Sequence, residues 1–198
     1  MNTQDLFKAL ALAAMGTALG ASPAHASVLP LQAAIVTATY NGEAAGMLGL
    51  DHDFASEPGS NTTALDPTGA GVEFLTADFL FGIDISADGG LTVIANSAIP
   101  TGAYSMRFDF GTSLAAPISA FTFAGTDGAS GVPGLSIVDA HTIALDLGGV
   151  EWNEFGSITA QIDVAAAVPE PASYALLLAG LGCMAAVQRV RRGGQPGR

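Results

Sequence analysis

Between residues 34 and 164 apolar side chains recur at every second position, separated by polar residues or glycine. Tyr104, Met106, Phe108 and Phe110 alternate with Ser105, Arg107 and Asp109, the period of a strand buried on one face. Phe79, Phe81, Ile83 and Ile85 repeat the pattern against Leu80, Gly82, Asp84 and Ser86. Further strands are expected at 34–40, 91–96, 118–124, 134–138, 141–147 and 157–164. The segments between them carry turn chemistry: Asn41-Gly42, Ala87-Asp88-Gly89-Gly90, Thr126-Asp127-Gly128 and Gly148-Gly149. Eight short strands at turn-marked spacing predict an all-β domain, an antiparallel β-sandwich or jelly roll. No stretch of helical period lies among them, and no tandem repeat suggests a solenoid or propeller.

The two ends follow other rules. Lys8, an apolar run from Ala9 to Leu19 and the small-residue site Ala24-His25-Ala26 have the three-part layout of a secretory signal peptide, expected to form a signal helix. Cleavage by signal peptidase after Ala26 would start the mature chain at Ser27. At the other end, Val168-Pro169-Glu170-Pro171-Ala172-Ser173 precedes an uncharged apolar stretch from Tyr174 to Val187, and Arg189, Arg191 and Arg192 follow. The stretch is short for a membrane span, which takes about 20 residues. The arginines would hold its far side in the cytoplasm. Prolines on both sides of Glu170 keep that carboxylate on extended backbone. Residues 193–198 read as a disordered tail.

This tail resembles the PEP-CTERM sorting signal in all three parts. The resemblance implies recognition of Pro169, Glu170 and Pro171 by exosortase, a membrane-embedded, cysteine transpeptidase-like enzyme of Gram-negative bacteria that make exopolysaccharide. It further implies a transmembrane helix over 174–187 and a basic stop over 189–192. It covers residues 168–198 and implies nothing about the domain between.

Setting the ends aside leaves 27–167 as the exported domain, long enough for one well-covered core. It holds sixteen acidic residues against Arg107 alone, a net charge near −15. So acidic a chain does not bind nucleic acid, which is held by Lys and Arg displacing counterions. Anionic substrates are disfavoured for the same reason. The one cysteine, Cys183, lies in the tail, so no disulfide can staple the domain.

Candidate chemistry is sparse. Asp84, Ser86 and Asp88 before Gly89 have the spacing that opens a calcium loop, but Ala95 stands where the closing carboxylate belongs. A hairpin turn explains the segment without a cation, so a bound Ca²⁺ is only the alternative. Asp51-His52-Asp53 reads as solvated loop charge. Asp139 and His141 share a strand face and could form a dyad, but no Gly-x-Ser-x-Gly elbow supplies a nucleophile. Glu151 and Glu154 flank Trp152, like a carboxylate pair beside a sugar platform, unless the tryptophan is core. Thr37-Ala-Thr39 is the one hint of the flat threonine array that ice binding requires. Arg107 is expected to pair with a carboxylate. The expectation is a non-catalytic surface or extracellular-matrix protein, sorted by exosortase and associated with exopolysaccharide, without a cofactor. A polysaccharide-binding or -modifying module is the second reading and an ice-binding protein a minor third.

Overall fold

A computed structural model describes residues 29–66, 68–69, 71–165 and Leu181. The signal peptide, the sorting triplet, the apolar stretch apart from Leu181 (helical and exposed) and the basic stop lie outside the described residues.

Eleven strands are present among the described residues: β1 (Ile35–Tyr40), β2 (Met47–Gly49), β3 (Thr62–Ala64), β4 (Phe74–Thr76), β5 (Phe81–Ile85), β6 (Gly90–Ala95), β7 (Ser105–Asp109), β8 (Ile118–Ser130), β9 (Gly134–Asp139), β10 (Thr142–Asp146) and β11 (Glu151–Val164). They form two antiparallel sheets. One runs β3-β1-β7-β10-β9, the other β2-β4-β5-β6-β11-β8. The all-β expectation is met, with five and six strands in place of the eight of a jelly roll.

Alternation explains the packing. In the five-stranded sheet Ala38, Phe108 and Ile143 stand side by side on the buried face. In the other sheet Phe74, Ile83, Val93 and Ile158 do the same. The two rows meet in one core, where Phe74 approaches Phe108 at 6.0 Å between ring centres and Tyr40 meets Phe81 edge-on at 6.3 Å.

Two expectations are corrected. Phe79 is not part of β5. It sits in the preceding turn with φ +57° and is exposed, because its amide closes that turn onto Thr76 rather than joining the ladder. Thr126-Asp127-Gly128 is not a turn between strands but the middle of β8. Its neighbour β11 begins at Glu151, six residues before the expected start, and gives these residues a partner. The register slips between Trp152 and Ser157, so Asn153–Gly156 form a wide bulge on β11. Gly156 lies against the Gly128 carbonyl, an approach that leaves no space for a side chain.

The chain enters and leaves the sandwich at the same end. Leu31 donates its amide to Ala87 in the β5–β6 hairpin at 2.9 Å, and Ile162 donates to Gly89 in that hairpin at 2.8 Å. The β4–β5 turn, the end of β6 and the β11 bulge lie at the opposite end.

Candidate functional site

The expected sites resolve mostly into scaffold. Asp88 accepts hydrogen bonds from the Ser86 hydroxyl and the Gly90 amide, and the Ser86 bond holds its carboxyl below the usual range. Asp84 instead hydrogen-bonds Glu73, so Asp84, Ser86 and Asp88 serve a hairpin and a strand pair. Among the described residues no group of three His, Cys, Asp or Glu side chains is placed to hold a metal. Asp51 accepts the Ala64 amide at 2.8 Å and anchors its loop to β3, and His52 Nδ1 lies 2.6 Å from Glu57. Asp139 and His141 do not form a side-chain dyad. The Asp139 carboxylate accepts the His141 backbone amide at 2.9 Å and closes the β9–β10 turn. That bond, first among several, holds the Asp139 carboxyl low.

Trp152 is 2% exposed and meets Phe81 edge-on at 5.3 Å. Its indole therefore offers no face to a sugar, and Glu151 and Glu154 lie on the solvent side of β11. Arg107 does find a carboxylate, Asp139 of β9, but at 3.8 Å between half-exposed side chains. It borders a shallow depression of about 500 Å³ together with Thr39, Ser105, Ser136 and Asp146. Thr37 and Thr62 hydrogen-bond at 2.9 Å on this outer face, where Arg107 and Asp109 interrupt any threonine array.

Two features went unread in the sequence. Glu73 is wholly buried. One of its oxygens accepts the Ile85 amide at 2.7 Å and the other the Asp66 amide at 3.3 Å, so a single carboxylate joins β5 to the crossing from β3. Burial raises its pKa from 4.5 to about 7, against the opposing pull of those amides. Burial raises Asp84 as well, and the Glu73 hydrogen bond works against that rise.

The second feature is a groove on the outer face of the six-stranded sheet. Leu75, Gly82 and Ile94 floor it, and Phe79, Phe155 and Asn96 rim it, enclosing about 250 Å³. Phe79 is 57% and Phe155 68% exposed. Both hold left-handed backbone, φ +57° and +58°. That conformation is an outlier for a bulky residue and costs about 1–3 kcal/mol each. Among the described residues neither ring stacks on another aromatic. No charged side chain lines the groove. The lone signal in the sequence was Phe79, which periodicity assigned to the core.

No curated protein and no solved structure matches the chain. Residues 167–192 match the family model of the PEP-CTERM protein-sorting motif, which implies an exported protein processed by exosortase. The chain is a β-sheet protein that carries a PEP-CTERM protein-sorting motif at its C-terminal end.

Proposed function

We propose that this chain is a non-catalytic cell-surface or extracellular-matrix protein that associates with exopolysaccharide after sorting. Signal peptidase removes residues 1–26 after Ala24-His25-Ala26. The segment 174–187 then holds the precursor in the inner membrane, with Arg189, Arg191 and Arg192 on the cytoplasmic side. Exosortase reads Pro169, Glu170 and Pro171 and releases the domain to the surface. The observation that carries this reading is the match of residues 167–192 to the sorting motif. The strong negative charge and the scaffold roles of Asp139, His141 and Trp152 support a role without catalysis. Binding of polysaccharide by the domain itself is the second reading, favoured by the aromatic-rimmed groove.

The test is a Pro169→Ala, Glu170→Ala double variant in the native host, followed by envelope fractionation and intact-mass measurement. The untrimmed precursor should accumulate in the membrane. If the variant reaches the same compartment with the same trimmed mass as the parent, sorting does not depend on the triplet and the proposal is wrong.

A further inference from the structure

We propose that the Phe79–Phe155 groove is a glycan-binding subsite that takes a neutral sugar unit by stacking on the two phenylalanine rings. The proposal deepens the reading of an exopolysaccharide-associated protein and rests on it for the source of the glycan.

Four observations converge. First, both rings stand in solvent on backbone that opposes them, so the fold holds them outward. Strained residues persist only where their surroundings determine them, and here the β4–β5 turn and the β11 bulge do so. Second, the groove has the composition of a small-ligand site: an apolar floor with Gly82 at its base, and one exposed amide, Asn96, whose side chain makes no hydrogen bond among the described residues. Sugar rings present C–H faces to aromatics and hydroxyls to an amide. Third, its volume of about 250 Å³ lies below the roughly 300–1,000 Å³ of drug-sized pockets, so one or two sugar rings fit but no helix does.

Fourth, charge and position select the occupant. The groove is an uncharged window in a domain near −15, and Arg107 lies on the other sheet. A polyanion meets repulsion there without a compensating cation, and a second copy of this chain brings the same negative field. A neutral glycan meets neither. The C-terminal segment leaves at Val164, nine residues beyond Phe155, or about 30 Å at ~3.3 Å per residue along β11. A precursor tethered by its tail therefore turns the groove away from the membrane.

The test is affinity electrophoresis of the purified full-length chain in detergent, through gels containing hydroxyethyl cellulose, dextran or mannan, with alginate as the anionic comparison. The parent chain should be retarded by at least one neutral polymer and not by alginate. Phe79→Gly and Phe155→Gly, which suit left-handed backbone and so keep the fold, should each weaken retardation about tenfold while melting temperature holds or rises. Retardation by none of the three neutral polymers overturns the proposal, as does retardation by alginate alone or retardation that both variants retain. Sedimentation showing a dimer that either variant dissolves would make the groove a self-association surface and also overturns it. A chain that is sorted and recovered with exopolysaccharide, yet fails these gels, sinks the subsite and leaves the sorting reading intact. Groove-dependent retardation by a chain that never reaches the surface does the reverse.

Discussion

Glu73 is buried with both oxygens occupied by backbone amides, yet it takes up a proton near neutral pH. Its pKa is about 7 in the fold against 4.5 ordinarily, so between those values the folded chain binds a proton that the unfolded chain has released. Stability attributable to this group is full below about pH 4.5, declines as pH rises and is lost above about 7. The whole difference is about 3 kcal/mol. Denaturant titrations at pH 5 and pH 8 should find the chain more stable at the lower pH. Glu73→Gln should flatten that difference, because an amide does not titrate, while costing some stability through the loss of one acceptor. A slope that survives the substitution assigns the effect to other carboxylates. Nothing in the alternation announced this residue. Glu73 and Phe74 are neighbours and both buried, so they break the period on which the strands were read.

The same break explains which elements were legible. All eight expected strands exist; most carry three or more buried positions at the right period, whereas β8 and β9, at sheet edges, are largely exposed and were legible from alternation and turn spacing alone. The three missed strands, β2, β3 and β4, have three residues each, too short to display a period. The early start of β11 was hidden by its bulge, which scrambles inside and outside between Trp152 and Ser157. Phe155, and with it the groove, could not have been placed without that register slip. Turn glycines were legible, but not their differing importance. Gly42 and Gly89 both hold positive φ, +83° and +98°. A methyl at Gly42 meets nothing within 4 Å, whereas one at Gly89 strikes the carbonyl of Ile162, the residue whose amide ties the hairpin to β11. Gly42→Ala should therefore cost about 1 kcal/mol and Gly89→Ala about 3 kcal/mol. Equal losses in urea titrations would contradict the close approach.

At the scale of the whole molecule, sixteen carboxylates and one guanidinium share a sandwich with no disulfide. The sole cation relieves little, since Arg107 reaches Asp139 only at 3.8 Å in solvent. Raising ionic strength from about 0.01 M to about 0.5 M should raise the melting temperature by several degrees, because screening weakens repulsion among exposed carboxylates. Calcium should add nothing beyond magnesium at equal ionic strength if Asp84, Ser86 and Asp88 serve only the hairpin. A calcium-specific rise in scanning calorimetry would locate a site there. The position of β11 has a consequence in time. Among the described residues it is the last strand made, yet it lies inside the six-stranded sheet, with β6 on one side and β8 on the other. Until Val164 has emerged those two strands have no common partner and the sheet stays open, whatever else has collapsed. The sorting motif begins at residue 167, three positions later. Closure of the sheet and arrival of the address label are thus nearly one event, and a chain that shows its label has just received the strand it needs to finish folding.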